Sequence, residues 1–258
     1  MAVNRYQADL HIHTLLSPCA EIEMIPSLIV EAAARAGLDL IGVADHNSCE
    51  NAGAVMEAAA GSAVKVLPGL EVQSVEGVHL LCLFDELEQA VALQEAVYAS
   101  LPEVMQNPIR HPEGARSAKL FAEQMIVDAR DEFVGYCERL LAFPTQLSID
   151  EIWNRVEELN GMLIPSHIDR SGTGLCDILG MVPDEPEFAA VEISRNLTPT
   201  DARAAYPSIG NRAILCSSDA HWLSAIGERR TVFHMQHRTV AEIKLACRGQ
   251  SGRSVSYA

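Results

Sequence analysis

Short apolar runs of strand length alternate with amphipathic stretches of helical spacing along most of this chain, and that alternation restricts it to an α/β architecture with helical crossovers. The first run, residues 7–13, leads through Ser17-Pro18 to Ile25, Leu28, Ile29, Ala32 and Ala36, spaced as one helix face and stopped by Gly37. Residues 38–44 are a second strand-length run, ending at Asp45-His46-Asn47-Ser48. A helix over 52–60 follows, then residues 64–67, Pro68-Gly69, residues 70–72, and a further apolar strand at 78–84. Residues 87–101 return to helical spacing, with Ala90, Leu93, Val97 and Leu101 on one face. Pro102, Pro108, Pro112 and Pro144 then bracket a stretch rich in charges and amides, so residues 102–145 are expected to be an insertion with partial helix, forming a cap or contact surface. Ser148 and Glu151 make a capping box for the next helix. Strands follow at 162–165, 189–193, 213–217 and 231–234, and Thr239 with Glu242 caps a final helix. Seven or eight mostly parallel strands in 258 residues predict one barrel domain over 1–258.

In such a barrel, functional side chains gather at the carboxyl ends of the strands, where the following loops share one face. Metal-ligating residue types fall at those positions. His11 and His13 close the first strand, Asp45-His46 the second, Glu71 lies near the end of the third and His79 lies on the fourth. His167 follows residues 162–165, and Asp219 with His221 follows the strand at 213–217. Alternate residues of a strand point the same way, so H-x-H and D-x-H each present two groups to one place. These nine candidates exceed what one ion uses and predict two or three divalent ions, with zinc, manganese and iron all suited to nitrogen and oxygen donors. His111, His234 and His237 have no such placement and are expected at the surface or in the core.

A formal net charge of −16 argues against a protein that coats nucleic acid and favours a small-molecule partner, with a nucleic-acid end disfavoured. No apolar leader and no run of 18 apolar residues is present, which predicts a soluble, cytoplasmic protein with no membrane partner. The seven cysteines are scattered and form no C-x-x-C pair, against a disulfide framework.

The ordered series D-L-H-I-H-T from Asp9, A-D-H-N from Ala44, P-G-L-E-V from Pro68, V-H-L-L from Val78, P-S-H from Pro165 and S-D-A-H from Ser218 resembles the polymerase and histidinol phosphatase (PHP) family of metal-dependent phosphoesterases. The resemblance implies a distorted (β/α)7 TIM-like barrel, here with an inserted segment, and a centre of two or three metals. It implies one ion on His11, His13, Glu71 and Asp219, and a second on Glu71, His79 and His167, with Glu71 bridging. A third would use His46 and His221. Where relatives with three metals can carry a further histidine, this chain has Cys19, either a zinc or iron ligand or a buried inert thiol. Asp45 is expected to orient an imidazole.

The expected reaction is hydrolysis of a phosphate mono- or diester by a metal-bridging hydroxide, with His221, His46 or Asp45 as the acid for the leaving alkoxide. Arg170 and Arg195, each just past a strand end, are the candidate phosphate clamps, with surface salt bridges as the alternative. Two other readings stand beside this one. An amidohydrolase barrel shares H-x-H and a late aspartate, but the three lysines (Lys65, Lys119, Lys244) end no ligand-bearing strand, and Glu71 fills the bridging position. A catalytically silent metal-bound barrel would instead serve regulation or assembly through residues 102–145.

Overall fold

The computed structural model describes residues 3–101 and 123–257. In chain order the elements are β1 (Asn4–Ile12), α1 (Pro26–Arg35), β2 (Leu40–His46), α2 (Ala52–Ala58), β3 (Lys65–Gln73), β4 (His79–Leu83), α3 (Leu87–Ser100), β5 (Met125–Val127) and β6 (Phe133–Tyr136). Then come α4 (Ile149–Glu158), β7 (Met162–Pro165), α5 (Leu175–Leu179), β8 (Ala190–Ile193), α6 (Pro199–Ala205), β9 (Ala213–Cys216), β10 (Thr231–Met235), α7 (Val240–Cys247) and β11 (Ser254–Tyr257). Seven strands form one curled sheet in the order β11-β10-β1-β2-β3-β4-β7, a half-barrel of the distorted TIM-like kind. The pair β8-β9 stands against its open side, where Ile168 N–H donates to Glu192 O and the Thr231 hydroxyl bonds the backbone of Cys216.

The strands are not mostly parallel, and this corrects the expectation. Among the described residues, only the strand pairs β1/β2, β2/β3 and β8/β9 are parallel, while β10/β11, β1/β10, β3/β4, β4/β7 and β5/β6 are antiparallel. The physical reason is connection length. Five residues separate β3 from β4, with Gly77 at positive φ in the turn, and a parallel crossover needs a dozen or more. The reversal matters for the site, because it brings the first residue of β4, His79, opposite Gln73 at the end of β3. Pro68-Gly69 does not break β3, which runs unbroken from Lys65 to Gln73.

Within the expected insertion, residues 102–122 lie outside the described residues, and the described remainder holds the β5–β6 hairpin rather than partial helix. The side chains of Asn47 and Asn51 donate to Leu141 O and Phe143 O and to Met125 O, tying that stretch to the loop after β2. β11, with no strong periodicity to announce it, completes the sheet edge.

Alternation along each strand divides the core. Leu81 and Leu83 of β4 face inward with Leu10, Leu40, Leu67, Ile164 and Leu215, while Leu80 and Cys82 face outward against Ile29, Val55, Leu93 and Ile152 of the helices. Val240 and Ile243 of α7 join the inner set, packing at the end where β2, β8 and β9 begin. The polar site is left to the opposite end. There β1 carries a bulge between Asp9 and Ile12, and Gly42 of β2 lies against it so closely that a Cβ would stand 2.2 Å from Leu10 O. Gly42→Ala should therefore push β1 from β2 and cost about 1–3 kcal/mol of stability in urea unfolding. An unchanged midpoint would contradict the close approach.

Candidate metal centre

Glu71, 1% exposed, lies at the middle of the polar end of the barrel. Its Oε1 is 3.0 Å from His79 Nδ1, 3.0 Å from His167 Nε2 and 3.4 Å from His11 Nε2. Its Oε2 is 2.9 Å from His46 Nδ1 and 3.5 Å from His13 Nε2. One carboxylate thus meets five imidazoles brought from β1, β2, β4 and the turn after β7. Asp219, in the turn after β9, places Oδ1 3.2 Å from His13 Nε2 and 3.7 Å from His11 Nε2. The His221 ring stacks on that of His13 with centroids 4.2 Å apart.

Groups behind the cluster fix which nitrogens face it. His11 Nδ1 is 3.0 Å from Glu192 Oε1. His13 Nδ1 is 2.9 Å from Ser17 Oγ, and that hydroxyl donates onward to Asp45 Oδ1. With Nδ1–H donating backwards in both, each Nε2 turns a lone pair to the centre, the arrangement in which imidazole binds metal. Asp45 stands behind the cluster: Thr14 N–H, the Thr14 hydroxyl and Ser17 occupy its oxygens, so it steadies His13 through Ser17 and has no oxygen turned to the site. Asp9 accepts from Ser218 N–H and Gly227 N–H, anchoring the turn that carries Asp219.

The backbone is bent where it delivers these groups. Asn47, His167 and Asp219 have φ of 51°, 28° and 52°, the left-handed region that a side chain normally avoids, and all three lie just beyond strand ends at the site. Such strain persists only where surrounding contacts hold it, and it concentrates at functional positions.

The electrostatics are those of a cation site. Burial alone would raise the Glu71 pKa, but the imidazoles of His79, His11 and His46 overcome it and hold the carboxylate well below its ordinary range. Burial likewise opposes Asp219, yet His11 and His13 hold it well below the usual value. Burial would lower His11, and Glu192, Glu71 and Asp219 outweigh it to hold the ring well above its usual pKa. Among the described residues, Glu71 Oε2, Asp219 Oδ1 and His167 Nδ1 are buried with no well-aligned hydrogen-bond partner, although His46 lies within ion-pair distance of Oε2 and His13 of Oδ1. His11 Nε2 and His13 Nε2 face each other at 3.2 Å. Buried orphan oxygens beside converging imidazole lone pairs fit divalent cations. Three groups of donors each lie within 4.8 Å of one another: His11, His13 and Asp219; His46, Glu71 and His79; His13, His46 and His221.

Cys19, exposed at the rim, puts its sulfur 3.2 Å from His46 Nε2. Partial burial raises its pKa, but hydrogen bonds to His221 and His46 win and bring it to about 6. It is therefore an exposed thiol beside two histidines, not a buried inert one. Arg170 pairs with Asp219 Oδ2, and Arg195 lines the same cleft beside Trp222. A second opening is lined by Cys19, His46, Gln73, His79 and Ala142, so the described part of the insertion forms part of its wall. His234 bonds Ser256 on the sheet edge, and His111 lies outside the described residues. Sequence reasoning missed Glu192 and Ser17. Glu192 is a lone acid in the apolar β8, and a buried acid in an apolar strand is itself a signal.

A model of the PHP domain matches residues 9–164, more than half of the chain. The chain belongs to the PHP family. A relative from Bacillus subtilis, the uncharacterized protein YqxK, is 24% identical over 98% of this chain and 64% of its own length. The lesion-specific endonuclease PfuEndoQ from Pyrococcus furiosus superposes with a TM-score of 0.71 at 20% identity, over 98% of this chain and 58% of that one. A putative metal-dependent phosphoesterase from Bifidobacterium adolescentis gives a TM-score of 0.51 at 17% identity, over 84% of this chain and 88% of that one. The chain thus spans less than two thirds of YqxK and of PfuEndoQ. Among the described residues, no helix is long and apolar enough to cross a membrane.

If Ser17 sets the His13 tautomer, Ser17→Ala should weaken metal binding about 10–100-fold in competition with a chromogenic chelator. Unaltered affinity would remove the serine relay from the account.

Proposed function

We propose that this chain is a metal-dependent hydrolase of phosphate esters. The observation that carries the reading is the Glu71 carboxylate shared among five imidazoles, with Asp219 beside it and a guanidinium on Asp219's other oxygen. His11, His13, Glu71 and Asp219 would hold one ion, and Glu71, His79 and His167 a second. His46, His221 and Cys19 are the donors for a third. Zinc, manganese and iron all suit this set. When bound, such ions acidify a shared water and neutralise charge on phosphoryl oxygens.

The chain's own residues supply the rest. Arg170, held at Asp219, and Arg195 across the cleft orient the phosphate. His221 lines that cleft, with Nδ1 held 2.8 Å from Asp219 O and the ring also hydrogen-bonded to the Cys19 thiol. When only the first two donor sets are filled, it is the group suited to protonate the leaving alkoxide. His46 suits that task less, because its Nδ1 lies on Glu71 and it lines the second opening, not the cleft that holds the arginines. Asp45 acts by holding Ser17 and His13.

The substrate is a small phosphate ester. A nucleic-acid end is the second reading, prompted by the fold-level likeness to PfuEndoQ and opposed by a net charge of −16. An amidohydrolase reading is disfavoured because Lys65 begins β3, away from Glu71, and Lys244 pairs with Glu157. Residues 1–258 act as one unit in this proposal, with 102–145 as a cap, and seven free cysteines suit the cytoplasm. A panel of phosphomonoesters, phosphodiesters and short oligonucleotides with manganese, zinc or iron tests the proposal. His13→Ala and Asp219→Ala should each lower metal-dependent turnover by at least about 100-fold. Full metal occupancy with no turnover on any member would favour the silent, regulatory barrel instead.

A further inference from the structure

Asn51 stands at the N-cap position of α2, yet its side chain makes no bond to that helix. An asparagine there usually turns its side chain to the first free amides of the helix. Here the side-chain amide is fully buried between the β5–β6 hairpin and the turn after β1. Its Oδ1 accepts Val127 N–H at 3.0 Å, and its Nδ2 donates to Met125 O and to Thr14 Oγ1, each at 3.0 Å. The hairpin thereby decides which way round the amide lies, because Val127 offers a donor and Met125 an acceptor.

From Thr14 the bonds continue inward. The Thr14 hydroxyl donates to Asp45 Oδ2 at 2.7 Å, the Ser17 hydroxyl donates to Asp45 Oδ1 at 2.6 Å, and Ser17 Oγ lies 2.9 Å from His13 Nδ1. None of His13, Ser17, Asp45, Thr14 and Asn51 is more than 1% exposed, so water does not stand in for a missing partner. Each hydroxyl has one proton to give, so reversing the amide at one end has a consequence at the other. Were Asn51 to present its oxygen, Thr14 would donate to it, Asp45 Oδ2 would lose that donor, and the carboxylate would hold Ser17, and hence His13, less firmly. Leu16, in the same turn, packs with Cys137 and Leu141 and seats the rest of the stretch there, but packing is indifferent to where protons lie.

We infer that Asn51 is a positioning residue that couples docking of the β5–β6 hairpin to the metal affinity of His13. The docked hairpin keeps His13 Nε2 turned to the centre, and a cation on His13 in turn holds the hairpin, since coupling between two sites is reciprocal. Whatever draws the hairpin off the barrel loosens the centre without touching it. This adds regulation to the metal site and rests on that site, not on the reaction it carries out.

The β5–β6 pair is a separate two-stranded sheet, so its amides exchange by local opening. Adding zinc to the metal-free protein should slow hydrogen exchange of the Val127 amide about tenfold. Thr14→Val, which keeps both hairpin bonds of Asn51 and cuts the link to Asp45, should reduce that slowing to about twofold or less. Asn51→Ala should weaken zinc binding about tenfold against a chromogenic chelator, and in a Ser17→Ala background only about twofold or less, because both act along one path. An additive loss marks a merely structural residue and overturns the proposal. So does zinc that binds and leaves Val127 exchange unchanged, or a slowing that survives Thr14→Val. Should either variant fail to fold, the zinc response of the unaltered protein still decides. Zinc bound without coupling would sink the relay and spare the metal centre; no zinc bound at any concentration would sink both.

Discussion

A carboxylate taken fully out of water is costly unless matched charge or directed hydrogen bonds surround it. Glu71 meets that demand with imidazoles on both of its oxygens, and the rest of the molecule is organised around supplying them. Each imidazole comes from a different stretch of chain, except the pair at the end of β1. The site therefore exists only when β1, β2, β3, β4 and β7 are in register, and folding and site assembly are the same event at this end of the barrel. The opposite end, filled by α7 against leucines, carries the apolar burial that makes such a polar end tolerable.

Behind the first layer of donors runs a second that decides orientation. Glu192 on His11 and the Ser17–Asp45 pair on His13 leave both ε nitrogens aimed inward. Asp9 anchors the turn that carries Asp219, and Asn47 joins the loop after β2 to the stretch at 141–143. The oxygens of Ser17, Asp45 and Asp9 are taken up by these hydrogen bonds, so they set geometry and do not compete for a cation. Left-handed backbone at Asn47, His167 and Asp219 is the accompanying strain.

Much of this was legible in the sequence, and the reasons differ by residue. H-x-H and D-x-H at the ends of apolar runs point to their place because strand alternation and barrel topology are local rules applied repeatedly. The reversal of β4 was written in the five-residue link with Gly77, and His79, named as a ligand by the resemblance, sits at the head of that strand and not its end because of that hairpin. Ser17 and Glu192 escaped because their partners lie four and 181 residues away, and neither spacing belongs to a periodic pattern. Gly42 was invisible for a related reason: its small size answers a bulge in the neighbouring strand. β11 is a short serine-rich strand whose pairing depends on β10.

The central claim is that Glu71 is shared between cations, and metal stoichiometry tests it most directly. Anaerobically purified protein and its Glu71→Gln variant, both shown to be folded, would be reconstituted with zinc, manganese or iron and analysed for metal bound per chain after removal of the excess. The account predicts at least two tightly held ions in the unaltered protein and loss of that pair in the variant. A single ion or none, or a stoichiometry that Glu71→Gln leaves unchanged, would contradict it.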